Sequence, residues 1–193
     1  MKYKSLVLGI VFAGLLSAQV TPAQVWKQEP DGFKGFKFGS SRSDAGFLSE
    51  QEWLAGGAHD ADHCFGQYLG AERCERIDPI GDVGVTFTFY FRDNKLVEID
   101  GSFNSSEYAK LRDVFIAAYK QPHTSQHNIE RTALGAKVAD ESLGWTGKRV
   151  AVFITKYLGN ITDGGFSISL RSEGVERDRL KREAKRKAVE SIK

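Results

Sequence analysis

From Val83 to Phe91 every second residue is apolar and mostly large. Val83, Val85, Phe87, Phe89 and Phe91 alternate with Gly84, Thr86, Thr88 and Tyr90. Strand side chains point alternately to opposite faces, whereas a helix repeats its apolar positions every three or four residues. The spacing therefore demands a half-buried β-strand. Arg92-Asp93-Asn94-Lys95 turns the chain, and Leu96 to Phe103 returns as an antiparallel partner. Such a hairpin has one apolar face, which the rest of the chain must cover.

The material to cover it is present. Asn104, with Glu107 three residues on, has capping-box spacing, and Tyr108, Leu111, Phe115, Ala118 and Tyr119 then fall on one helical face that Pro122 ends. Ser41 and Asp44 have the same spacing. A first helix is therefore expected over 43–54, with Phe47, Leu48 and Trp53 on its apolar side and Gly56-Gly57 as its stop. Gly32 to Gly39, carrying Phe33, Phe36 and Phe38, reads as one short strand. Residues 58–82, rich in charge and glycine, read as a long loop of functional interest. Four more strands are expected near 126–132, 137–145, 149–157 and 166–171, joined as a meander because antiparallel neighbours need only short turns. The order strand, helix, hairpin, helix, meander predicts an α+β fold, an antiparallel sheet with two helices on one face.

The N-terminus reads as a targeting segment. Lys2 and Lys4 precede the apolar run Leu6 to Leu16, and Thr21-Pro22-Ala23 supplies small residues for a cut after Ala23. The run is half the roughly twenty residues that a membrane-spanning helix needs. Residues 1–23 are thus a signal peptide, residues 24–174 one domain, and the protein is periplasmic or secreted. In that oxidising setting the two cysteines, Cys64 and Cys74, pair as a disulfide. The net charge of +2 conceals an asymmetry: residues 175–193 hold eight Lys/Arg against four Asp/Glu, while residues 24–174 carry 17 basic and 21 acidic residues. The tail lacks Gly and Pro after Gly174 and is rich in good helix formers. It is expected to form a basic helix, with Asp178–Arg182 and Glu183–Lys187 as supporting pairs. Its Lys181, Arg182, Lys185 and Arg186 would meet an acidic partner protein or an anionic envelope surface. Nucleic acid is disfavoured as a partner because the body is acidic and export removes the chain from it.

Four short motifs carry a family resemblance: Gly35-Phe36-Lys37-Phe38-Gly39-Ser40, Phe91-Arg92-Asp93-Asn94-Lys95-Leu96-Val97, Ala118-Tyr119-Lys120-Gln121-Pro122 and Leu143-Gly144-Trp145. Through them the chain, up to about residue 170, resembles a broad group of small secreted proteobacterial proteins. Its order of elements is also similar to the helix-plus-sheet modules of the β-lactamase inhibitor protein and of small outer-membrane assembly lipoproteins. The basic tail and the lack of a lipid-bearing cysteine depart from the latter. The resemblance implies secretion and this architecture, and transfers no activity.

The four histidines fall in two i, i+4 pairs, His59 with His63 and His123 with His127, the spacing that would put two metal ligands on one side. No His-Glu-x-x-His, nucleophile elbow, Ser-x-x-Lys or phosphate-binding loop occurs in the mature chain, and no motif calls for a cofactor. Asp140-Glu141 is a carboxylate pair, but neighbours on a strand point to opposite faces. Tyr90, Tyr157 and Trp145 are expected on an exposed sheet face, where aromatic residues serve as binding anchors. The leading expectation is a non-catalytic envelope binding or adaptor protein, with an inhibitor of an envelope or secreted enzyme as a special case. The alternative is an envelope hydrolase or metal-dependent enzyme built on the histidine pairs.

Overall fold

The structure, a computed structural model, describes residues 26, 29–56, 62–131 and 135–190. The expected signal peptide, His59 and Ile192 lie outside them. Among the described residues ten strands and three α-helices follow in the order β1 (Gly32–Phe33), β2 (Phe36–Lys37), α1 (Glu50–Gly56), β3 (Cys64–Tyr68), β4 (Ala71–Ile80), β5 (Val83–Arg92), β6 (Lys95–Asn104), α2 (Tyr108–Tyr119), β7 (Thr124–Arg131), β8 (Lys137–Thr146), β9 (Val150–Thr155), β10 (Asp163–Leu170) and α3 (Arg171–Glu190). Eight strands form one antiparallel sheet in the order β3-β4-β5-β6-β10-β9-β8-β7. Two four-stranded meanders thus meet at their last strands, with β6 against β10. The fold is α+β, and no helix among the described residues is long and apolar enough to cross a membrane.

The β5–β6 hairpin forms as its periodicity requires: Val83, Val85, Phe87, Phe89 and Phe91 are all buried on one face. α2 covers that face with Tyr108, Leu111 and Phe115. Its start is a single 3-10 turn over Ser105–Glu107, capped by Asn104 Oδ1, which accepts from the Ser106 backbone N–H at 3.0 Å. Phe33 adds a ring 5.6–6.2 Å from those of Phe87, Phe115 and Phe166. Gly101 on β6 lies opposite Phe166, and a Cβ there would fall 2.1 Å from the Phe166 ring. Only glycine permits that approach.

Four local expectations are corrected. Residues 32–39 are not one strand but a tight hairpin, because Lys34 and Gly35 both take positive φ (49° and 87°), the geometry of a two-residue hairpin turn. The Ser41–Asp44 hydrogen bonds do form, at 3.1 and 3.4 Å, yet they close a turn. The helix starts at Glu50 on a second reciprocal pair, Glu52 N–H to Ser49 Oγ at 3.0 Å and Ser49 N–H to Glu52 Oε2 at 2.7 Å. That pair has the Ser-x-x-Glu chemistry of a true capping box. α1 is short and buries no residue, so it does not cover the sheet as the first of two helices was expected to do. Finally, much of the expected loop 58–82 is the hairpin β3–β4. Its polar residues sit on an outer strand pair, where only part of each face is buried. Cys64 and Cys74 are register partners in that hairpin and form the expected disulfide, both at 0% exposure against the Phe89 row.

Candidate functional site

The opposite face of the sheet is polar, and a break in register makes it so. Tyr90 pairs with Glu98 but Phe91 pairs with Leu96, which leaves Val97 as an extra residue on β6. The bulge changes the parity of the strand. Leu96 packs beside Phe91 in the core, whereas Glu98, Asp100 and Ser102, which strict alternation would set on Leu96's side, turn to the face of Thr86, Thr88 and Tyr90. Ser167 on β10 lies opposite Asp100, and Phe153 on β9 lies opposite Ser167. With Leu158 from the β9–β10 connection and Arg177 from α3, these residues line an open groove of about 350 Å³.

Its floor is a carboxyl pair. Glu98 is 2% exposed. Arg177 Nη1 donates to both its oxygens at 2.5 and 2.6 Å, and Ser167 Oγ donates to Oε1 at 3.1 Å. Asp100 has no such cation. Burial, followed by the adjacent Glu98 charge, pushes its pKa up to about 7 against the weaker opposing pull of Ser167 and Arg177. Its Oδ1 is buried and makes no hydrogen bond. Tyr90 stands beside the pair, its hydroxyl also pushed up, by burial and then by the charges of Asp100 and Glu98. Such a floor accepts hydrogen bonds and positive charge. Phe153 and Leu158, 44% and 53% exposed, supply apolar surface at the rim.

α3 is fastened to this face at its first two turns. Glu173, 5% exposed, takes a bidentate pair from Arg92 (Nε to Oε2 2.9 Å, Nη2 to Oε1 2.5 Å), and Arg92 also donates to the Leu69 carbonyl at 3.0 Å. The boundary expected at Gly174 therefore falls inside a helix that begins at Arg171. Beyond Leu180 the helix is mostly exposed, and Lys181, Arg182, Lys185 and Arg186 all face solvent. Its ion pairs run Glu176–Arg179–Glu183 and Arg186–Glu190 in place of Asp178–Arg182 and Glu183–Lys187.

Of the three expected surface aromatics, Tyr90 alone lines the groove. Trp145 is corrected. It is 0% exposed on the opposite, apolar face, 6.3 Å from Phe115 and 5.9 Å from Tyr119, with its indole N–H donated to the Lys120 carbonyl at 3.0 Å. β8 aims Leu143 and Trp145 at α2, a parity that its mixed sequence conceals. Tyr157 follows the end of β9, half-buried, with Lys156 Nζ 5.0 Å from its ring centre.

The three histidines among the described residues do not converge. His63 immediately precedes β3 and stacks on Trp53 at 4.1 Å. His123 accepts the Thr146 N–H at 2.9 Å, and His127 on β7 meets Glu141 at 3.2 Å. β3 and β7 are the two edges of the eight-stranded sheet, about 34 Å apart at roughly 4.8 Å per strand, so His63 cannot share one ion with His127. Among the described residues no group of three His, Cys, Asp or Glu side chains is placed to hold a metal.

Glu98, Asp100 and Arg177, like Phe153, Leu158 and Ser167, are groove residues that sequence reasoning missed. The available signal was two acids alternating with Ile99, Gly101 and Phe103 inside a strand that had to be central.

Comparison with known protein families, with characterised proteins and with solved structures finds no match.

Proposed function

We propose that this chain is an exported, non-catalytic binding protein of the bacterial envelope, and that it holds a partner protein against the polar face of its sheet. The observation that carries the reading is the groove in which Tyr90, Phe153 and Leu158 surround the carboxyl pair Glu98–Asp100, of which Asp100 has no cationic partner. An acidic floor inside an apolar rim selects a basic side chain flanked by apolar ones. The rim desolvates the new ion pair and so strengthens it. The exposed basic half of α3 adds long-range attraction to an acidic surface of the partner or envelope. Inhibition of an envelope or secreted enzyme is one form such binding takes.

A photo-crosslinker in place of Phe153, in the producing organism, tests the reading. It should give a discrete adduct that Asp100→Lys abolishes, while a crosslinker at Ile129, exposed on the far edge strand, gives none. Equal adducts from both positions, or none from Phe153, would refute it. A hydrolytic role for the same carboxyl pair is the second reading, favoured by the raised pKa of Asp100. It requires turnover that Asp100→Asn removes while the adduct persists.

A further inference from the structure

α3 carries its charges on separate sides. Successive helical residues are about 100° apart, so Glu176, Arg179, Glu183, Arg186 and Glu190 share one sector of about 80°. Their ion pairs lie within it: Arg179 with Glu176 and with Glu183 at 2.5 Å each, and Arg186 with Glu190 at 3.8 Å. Glu173 and Arg177, which clamp the helix to the sheet, face a second direction. Lys181, Arg182, Lys185 and Val189 fall on a third, in a sector of about 100° whose middle is about 110° from the clamp. All four are exposed, and among the described residues the three bases form no ion pair. Asp178 is the one acid among the described residues on that side, at the end nearer the clamp. The other acids of the outer helix are thus spent on two arginines, which leaves one side with positive charge that nothing cancels.

That side has no aromatic residue, and its large apolar surface is Val189 alone, 50% exposed. Protein interfaces draw their energy from buried aromatic and arginine anchors and are poor in lysine. Two of the three bases here are lysines, which are strongly hydrated point charges rather than bidentate forks. The apolar content is equally too small for insertion into a bilayer, since an interfacial helix buries a whole apolar face. From 181 to 189 the stripe runs about 12 Å, at about 1.5 Å per residue. A straight row of hydrated cations suits a flat layer of negative charge. We infer that this side of α3 rests on the headgroups of an anionic lipid bilayer, as a reversible tether held by charge alone. Arg177 both clamps the helix and lines the groove, so the tether holds the groove close to the membrane surface. The inference rests on the reading of the chain as an envelope protein, and not on what its groove binds.

Co-sedimentation of the purified protein with vesicles, near physiological salt, tests the assignment. Vesicles of phosphatidylcholine mixed with phosphatidylglycerol should retain the protein at least about tenfold more strongly than phosphatidylcholine alone. Lys181→Gln combined with Lys185→Gln should weaken that retention by about tenfold. Arg179→Gln combined with Arg186→Gln removes the same net charge from the paired side. It should cost no more than about threefold, because a helix about 10–12 Å across exceeds the Debye length of about 8 Å. Glutamine is a good helix former, so both double variants should keep the wild-type circular dichroism. Equal retention on phosphatidylcholine alone, or equal loss in the two double variants, would overturn the proposal. So would binding of soluble polyglutamate as tightly, charge for charge, as of the anionic vesicles, which would point to an acidic protein instead. Failure of the Phe153 crosslink would leave these results untouched, since the vesicles hold no partner protein.

Discussion

On the side of the sheet turned to α2, Phe87, Phe89, Phe91, Leu96, Ile99 and Trp145 are all at 2% exposure or less, packed ring against ring with Phe33, Phe36, Phe47 and Phe115. On the side turned to α3, Thr88, Tyr90, Glu98, Asp100 and Ser167 stand on the same strands or their neighbours, held by ion pairs and lining an open groove. The first face draws its stability from area removed from water, which is non-directional and dense. The second depends on partners for buried charges, which stabilise only when every member is satisfied. A sheet divided in this way keeps its fold on one side and leaves the other available for recognition.

The largest expected effect comes from emptying the apolar face. Phe89→Ala removes a ring 4.6 Å from Phe36 and 4.9 Å from Phe47. It should cost about 3–5 kcal/mol in urea unfolding. A cost below 1 kcal/mol would mean that this face is not the principal source of stability.

Next is the cross-link that ties the edge hairpin into the same core. Replacing Cys64 and Cys74 by serine should cost about 2–4 kcal/mol. β4 pairs with β5 at nine positions from Glu72 to Ile80, whereas β3 is a short edge strand with an irregular register. Hydrogen exchange should therefore rise in 64–68 and stay slow in 72–80. Equal loosening of both strands would show that the disulfide supports more than the edge.

On the polar face the corresponding variant is Arg177→Ala, which strands the buried Glu98 carboxylate. Because the Arg177 side chain is itself 29% exposed, the loss should fall short of that for a fully buried pair, at about 2 kcal/mol. Glu98→Gln added to Arg177→Ala should recover part of it, and failure to recover would mean that the pair contributes through packing rather than charge.

Asp100 sharpens the contrast through pH. Its folded pKa, about 7, lies above the unfolded carboxylate value near 4, so the native state holds the extra proton between them. The stabilising contribution is fully present below about pH 4 and is lost as pH rises through about 7. Melting temperatures should show that loss on titration, and Asp100→Asn should flatten it while raising stability at pH 8. An unchanged profile would remove Asp100 as its source.

The smallest effect on folding should come from the free half of α3. Changing Lys181, Arg182, Lys185 and Arg186 to glutamine should alter stability by less than about 0.5 kcal/mol, as exposed substitutions usually do. Retention on anionic vesicles should nevertheless fall at low salt. In the wild type it should weaken as the Debye length shortens to about 8–10 Å. Salt-independent retention would point away from the basic helix.

Particular residues show how far the sequence could be read. The Phe87-Phe89-Phe91 row, the α2 face of Leu111 and Phe115, the four-strand meander and the Cys64–Cys74 pair were legible, because each rests on a local period or a simple count. Residues 58–82 were misread because an edge hairpin buries little on either side and so lacks a clean alternation. Trp145 and the Glu98–Asp100 pair were misassigned or missed for one shared reason. The face a strand residue takes depends on parity, and parity is reset by a bulge such as Val97 or fixed by a partner strand far away in sequence.

By itself the sequence determined that this chain has an aromatic-faced antiparallel sheet, a helix to cover it, a linked cysteine pair and a helix-forming basic end, since these follow from hydrophobic period, turn chemistry and helix propensity over short spans. Only the tertiary structure decided that the two meanders join at β6 and β10, that α3 clamps the polar face through Arg92–Glu173 and Arg177–Glu98, and that Asp100 is left without a cation. Those contacts link residues up to 81 positions apart. Their pairing is settled by which surfaces remain to be buried once the local elements have formed, and no local pattern records that choice.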